Sequence, residues 1–419
     1  MGDDEGLSIS SDCPDEQAGS IWQPLIPATC DIPEAEARPA ARCGHVAVSC
    51  GNGKRLLVIG GYNAEGMLGL SDVWEFAFET RTWCRLHLVD GPTPPERAYF
   101  RGCDGPPVGT DGREEKEPFV YINGGLDAGG DPSKDVWCLD VENRTWNEVH
   151  RGGSFPPSRF NHAMCRMGCS LAVHGGESSS GSLLDDLCLF HPSTTSWSET
   201  RISSSGPRPC ARSSHCLGYA EPTEEGSSTP ASLVLFGGLG RDPEGLDEED
   251  STPLNDLWVL SPVTNGWLKS VQGMDACDDD SVTPPVWSLV LFDGVGPSPR
   301  SLAALSPRPC GRDLFLFGGY GLVELPVTGD ANNDGGDIIT AYIDDLWMLS
   351  LDEGVPPTSS PEWVDEEGMG FVGESIVEGR NGHTLTWCGD KLVLFGGFVG
   401  DGFDASLHVA ETPLPPEEA

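Results

Sequence analysis

An apolar run that closes on a glycine pair recurs six times along the chain. The copies are LLVIGGY at 56–62, PFVYINGGL at 118–126, SLAVHGGE at 170–177, SLVLFGGL at 232–239, DLFLFGGY at 313–320 and KLVLFGGF at 391–398. Such a repeat constrains the architecture more than any single motif, because each unit can bury its apolar face only against its neighbours. Four or five β-branched or aromatic residues ending in Gly-Gly read as a buried strand that closes on a bulge or a tight backbone approach. No G-x-x-x-x-G-K series and helix follows any pair, so these glycines are not read as a phosphate cradle.

Three further signals travel with the pair. After it a second strand opens on an acid: SDVWEF from Ser71, KDVWCL from Lys134, DDLCLF from Asp185, NDLWVL from Asn255 and DDLWML from Asp344. The sixth copy, ASLHVA from Ala405, carries Ser406 where the others carry Asp. Next comes a turn followed by a tryptophan, at Trp83, Trp146, Trp197, Trp267 and Trp363. Ahead of each pair stands an arginine: Arg42, Arg97, Arg159, Arg212, Arg300 and Arg380. Four of these have a histidine three residues on, His45, His162, His215 and His383, whereas Phe100 and Ala303 take that place in the other two. Four short strands per unit, with pairs 51 to 81 residues apart, suit one four-stranded blade per repeat.

These units resemble kelch repeats over about residues 20–410. The resemblance implies an all-β fold, a six-bladed kelch β-propeller like the central domain of galactose oxidase. Its blades would fall at about 38–90, 91–150, 151–203, 204–290, 291–370 and 371–410. The family pattern places the first strand along the central channel, ends the second at Gly-Gly, and puts the Asp-Leu-Trp segment on the third and the tryptophan on the fourth. The last unit has no closing tryptophan, since the chain runs into ETPLPPEEA. SIWQPL at 20–25 offers Trp22, so residues 20–26 are expected to complete the last blade and close the ring, removing two exposed sheet edges. Residues 1–19 then read as a flexible acidic tail and 411–419 as a C-terminal tail.

Charge narrows the partners. There are 66 acidic residues against 25 basic ones, a formal net charge of −41, which repels nucleic-acid phosphate and anionic membranes and favours basic partners or cations. Neither a signal-like N-terminus nor an apolar stretch of membrane-spanning length is apparent. Fifteen cysteines without a C-x-x-C pair read as reduced thiols, for which the cytoplasm is the expected location.

Departures from the repeat point to the candidate site. From the glycine pair to the third-strand acid takes 10 or 11 residues in the first three units but 18 in the fourth and 26 in the fifth. With the stretch after Trp267, these inserts carry Asp242, Glu244, Asp247, Glu248, Glu249, Asp250, Asp275, Asp278, Asp279 and Asp280, expected to wall one side of one face. Inside that wall the six arginines would form a basic mouth suited to a peptide carboxylate or acidic side chain. Alternatively, they satisfy loop carbonyls and neighbouring acids.

Within DANNDGGD, 330–337, Asp330, Asn332 and Asp334 followed by Gly335 match the first half of a calcium loop, but Ala341 stands where the bidentate Glu belongs. An Asx-rich turn is the alternative. No other cofactor is expected. The enzymes of the kelch fold map poorly: six tyrosines offer no copper set, and the nearest Glu-Asp-His series is Gly400, Asp404, His408, lacking its first acid. The expected function is therefore a non-catalytic protein- or peptide-binding propeller, an interaction scaffold or adaptor. Its partner would be basic at the acidic rim or would present a carboxylate at the arginine mouth. A small-molecule enzyme using the central channel, mutarotase- or oxidase-like, is the alternative.

Overall fold

The computed structural model describes residues 21–28, 37–63, 69–109, 118–150, 155–200, 202–203, 206–221, 231–241, 251–264, 267–268, 271, 283–292, 295–309, 312–324, 338–351, 363–366, 368–369 and 377–411. Within them the repeat folds as a ring of six antiparallel four-stranded blades. Blade one runs Val46–Cys50, Arg55–Gly61, Leu70–Ala77 and Thr82–Arg85. Its second strand is apolar after Arg55 because a blade packs on either side of it, and six of its seven residues are buried. The first strand alternates buried and half-buried residues, as a strand with one side toward the channel should.

Blade two repeats the order with Arg101–Gly105, Phe119–Asn123, Val136–Asp140 and Thr145–His150. Blade three uses Ala163–Met167, Ser170–Ser178, Leu183–His191 and Ser196–Glu199. Blade four uses Cys216–Ala220, Ala231–Gly240, Thr252–Val263 and Val286–Val290. Blade five has Ala304–Pro307, Asp313–Glu324, Ile338–Ser350 and Trp363–Asp365. In blade six, Thr384–Cys388, Lys391–Phe395 and Leu407–Glu411 are completed by Trp22–Pro24 from the other end of the chain. Neighbouring first strands touch in ring order, the sixth returning to the first.

The apolar core is divided into six wedges, one at each junction between blades. Closure depends on Trp22, fully buried, paired with Ala410 in the ladder and edge-on to Phe317 of blade five at 5.3 Å. The glycine pair marks a register shift between second and third strands, seen at Gly61, Gly176, Gly238 and Gly319. Gly396 and Gly397, at φ of 66° and 108°, show why two are needed. A Cβ on Gly396 would lie 2.8 Å from the Arg42 carbonyl and His45 ring of blade one, and one on Gly397 2.9 Å from His383 of its own blade. One glycine admits the next blade and the other admits its own first strand.

One sequence assignment changes. The fourth strand of blade four carries Trp287, whereas Trp267 is buried in the connection between the third and fourth strands, in the wedge shared with blade three. That connection begins at Val263 and ends at Val286, at the end of the ring opposite the glycine pairs. The insert bearing Asp275, Asp278, Asp279 and Asp280 is thus rooted on the face opposite the one expected. Those four acids, like 242–250 and the calcium candidate Asp330, Asn332 and Asp334, lie outside the described residues.

Candidate functional site at the channel mouth

The six repeated arginines do not form an open mouth. Their side chains are at most 4% exposed, and each is gripped by an aspartate on or just ahead of the third strand of its own blade: Asp72, Asp135, Asp186, Asp256, Asp345 and Asp404. Arg42 is representative. Its two terminal nitrogens donate to the Asp72 carboxylate at 2.7 and 2.9 Å, one of them also to the Gly60 carbonyl at 2.9 Å, and Nε donates to the Ala40 carbonyl. The same carbonyl of the first glycine is held in every blade. With four of the five N–H groups of Arg42 engaged and its side chain buried, and its counterparts held by the same partners, little is left for a ligand, which removes Arg42, Arg97, Arg159, Arg212, Arg300 and Arg380 as a carboxylate receptor. They tie the bulge to the third strand instead.

The Asp-x-Trp spacing belongs to this clasp. Residues two apart share one side of a strand, so the indoles of Trp74, Trp137, Trp258 and Trp347 each donate to the carboxylate two residues earlier, at 2.6–2.7 Å. Burial pushes the carboxyls of Asp72 and Asp135 up, but the arginine and indole hydrogen bonds more than offset it and hold them below the usual range. The repeated histidines pack between blades, each ring against the first glycine of the preceding blade: His45, His162, His215 and His383 are buried, and burial holds each neutral, His383 down at about 3.

Between each clasped arginine and that histidine position sits a residue in the left-handed region: Gly44, Tyr99, Asn161, Ser214, Leu302 and Gly382, with φ of 52–62°. Their backbones form a collar around the channel. Asn161 N–H donates to Tyr99, Ser214 to Asn161, Leu302 to Ser214, Gly382 to Leu302 and Gly44 to Gly382, at 2.7–3.1 Å. The sequence signal for this collar was the Gly or Asn at 44, 161 and 382.

Around the collar runs an arc of half-buried aromatic rings. Tyr320 meets Tyr342 at 5.1 Å, Tyr342 meets Phe398 at 5.7 Å, and Phe398 meets Phe403 at 5.2 Å. Phe403 meets Tyr62 at 5.5 Å, Tyr62 meets Tyr99 at 4.9 Å, and Tyr99 meets Phe160 at 6.5 Å. Seven rings thus span blades five, six, one, two and three on the glycine-pair face. On the same face the blade-five hairpin continues past its bulge for five more residue pairs, from Tyr320 opposite Tyr342 to Glu324 opposite Ile338, leaving Ile338 68% exposed.

The profile described as the KLHDC2/KLHL20/DRC7 Kelch-repeats domain matches residues 28–221 and 117–278. The chain belongs to this kelch-repeat family. Among curated proteins it is similar to Host cell factor 2 of Homo sapiens, 23% identical over 339 residues, covering 78% of this chain and 34% of that protein. Host cell factor homolog hcf-1 of Caenorhabditis elegans is 24% identical over 380 residues, 86% of this chain and 40% of that protein. F-box/kelch-repeat protein At1g51550 of Arabidopsis thaliana is 26% identical over 317 residues, 71% of this chain and 59% of that protein. The kelch chain therefore spans less than two thirds of the length of each of these relatives.

Kelch blade six keeps its clasp by a different route. Arg380 donates to Asp404, and Ser406, standing where the other blades have Asp, donates its hydroxyl to the same carboxylate and meets His408 Nε2 at 2.8 Å. Asp404 and His408 are thereby joined through Ser406 as one structural network. Among the described residues no group of three or more His, Cys, Asp or Glu is placed to hold a metal, and no helix is long and apolar enough to cross a membrane.

Proposed function

We propose that this kelch propeller is a non-catalytic protein- or peptide-binding module whose partner seats on the glycine-pair face, over the collar and against the blade-five hairpin. The seven-ring arc carries this reading. Half-buried Tyr and Phe side chains supply large contact area at low entropy cost, as interface anchors do, and here they flank a channel mouth continuously. The net charge of −41 and the electron-rich ring faces favour a partner with basic side chains near apolar anchors. Binding is favoured over catalysis because burial holds the histidines of the cavity behind the collar neutral, and no Asp or Glu is among that cavity's described lining. A reducing compartment such as the cytoplasm belongs to the same proposal, since every described cysteine is a free thiol.

The test is affinity capture with the full chain, identification by mass spectrometry, and titration of the recombinant partner. Tyr62→Ala with Phe403→Ala is expected to weaken binding about 10-fold or more, while Asn52→Ala at the far mouth leaves it unchanged. Equal affinity for the arc variant and the wild type would sink the reading.

A further inference from the structure

Behind the collar lies an axial cavity of about 190 Å³ lined by residues of all six blades. Directly after the histidine position of the repeat, five blades present Val46, Ala163, Cys216, Ala304 and Thr384. Blade two presents Arg101. It is the only charged side chain among the described residues of that lining, apart from histidines that burial keeps neutral. Arg101 is half-buried as a residue, its guanidinium donates to the Phe100 carbonyl at 3.1 Å, and it makes no ion pair with any described residue. The charge is felt across the channel, by Cys43 and Tyr62 of blade one, His162 of blade three and Cys216 of blade four. No thiolate competes for it: burial pushes Cys43 up to about 11 and Cys216 to about 12.

A guanidinium offers five N–H groups in a fixed fork that matches a planar carboxylate, and in a site with little water such a contact is stronger than at the surface. Here one donor is used and the fork faces a cavity. The remaining walls are mixed, with Met164, Leu217, Leu302 and Leu305 supplying apolar side chains beside polar groups such as Asn381 and Thr384. At about 30 Å³ per water the space equals several water molecules, and it is smaller than the several hundred Å³ of sites that take drug-sized ligands. These features fit a compact amphipathic acid better than a length of peptide.

We propose that the axial cavity binds a small free organic carboxylate, its carboxylate on Arg101 and its apolar body among Met164, Leu217, Leu302 and Leu305. The cavity shares the Tyr62 and Tyr99 rings with the aromatic arc, but its ligand is held by Arg101, which is outside the arc, so the two assignments are tested apart. Calorimetric titration and thermal melting of the full chain test it, with benzoate, hexanoate and cyclohexanecarboxylate as probes and benzamide as the neutral match to benzoate. At least one carboxylate is expected to titrate to saturation and raise the melting temperature, and benzamide to do neither. Arg101→Met should weaken that carboxylate about 10-fold or more, and Arg101→Lys, a point charge without the fork, should weaken it less. Equal binding of benzoate and benzamide, or unchanged binding by Arg101→Met, overturns the proposal. So does saturation by none of the three acids, including the case in which a peptide with a free C-terminal carboxylate binds and they do not. Should Arg101→Met fail to fold, the benzoate and benzamide comparison on the wild type and the Arg101→Lys titration decide. Unchanged partner capture in a Phe160→Ala and Phe403→Ala variant, whose two rings do not line the cavity, with carboxylate binding intact would count against the partner surface alone.

Discussion

Asp404 holds Arg380 from two residues ahead of the position that its five counterparts occupy, with an N–O distance of 2.6 Å and the arginine 3% exposed. Removing one partner of a buried ion pair leaves the other charge uncompensated, which costs about 3–5 kcal/mol. Asp404→Asn is therefore expected to destabilise the chain by about 3 kcal/mol in urea denaturation. Ser406 stands in the register that Asp fills elsewhere, so adding Ser406→Asp to Asp404→Asn should recover at least part of the loss. No recovery would mean that blade six cannot accept the arrangement of its siblings.

Leu302 takes the left-handed conformation, φ 55°, in the collar of blade five. For an L-residue with a branched side chain that conformation costs about 1–2 kcal/mol, which glycine avoids while losing somewhat more chain entropy on folding. Leu302→Gly keeps the backbone link to Ser214 and is expected to raise stability by about 0.5–1 kcal/mol. A lower urea midpoint at unchanged slope would show that the leucine side chain packs for more than its backbone costs.

What could be read from the sequence was what repeats within one blade. The glycine pairs locate every second strand, and Trp22 falls to blade six because that unit lacks a tryptophan of its own. What the sequence hid were relations across strands and blades. Arg42 and Asp72 are both visible in the repeat, but their meeting depends on the bulge at Gly60 and Gly61 bringing the third strand under the first. The arc was half visible, since Tyr62, Tyr320 and Phe398 follow their glycine pairs, whereas Tyr99, Phe160 and Phe403 join only through the curvature of the ring. Trp267 misled because its turn-tryptophan pattern matches that of the fourth strands, although the strand itself lies 20 residues on at Trp287.

Ring closure gives a third prediction. Trp22 is fully buried against Phe317 and Ala410, in a strand of only three residues. Truncating a buried aromatic costs about 3–5 kcal/mol through lost burial and the cavity left behind. Trp22→Ala is expected to destabilise by that amount and to expose the edge of Leu407–Glu411, so aggregation on heating should begin earlier than for an equally destabilised core variant such as Leu217→Ala. Matching light-scattering onsets for the two variants would argue against closure by this strand.

Glu366 supplies the pH dependence. Burial pushes its carboxyl up, the hydrogen bond it accepts from the Leu346 N–H at 3.1 Å pulls it down, and the charges of Asp345, Asp344 and Asp365 push it up again, to about 7. Below the unfolded value of 4.5 both states hold the proton and the contribution to stability is full. As pH rises from there toward 7 the unfolded chain releases its proton first, so stability is lost across that window and stays low above it. Glu366→Gln keeps an acceptor for Leu346 and removes the titration. The variant should match the wild type near pH 4 and exceed it at pH 8 by about 1 kcal/mol, the shift being discounted for the water that reaches this half-buried group. Urea midpoints at the two pH values check it: an advantage at pH 4 that vanishes at pH 8 would reverse the sign and remove Glu366 as the titrating group.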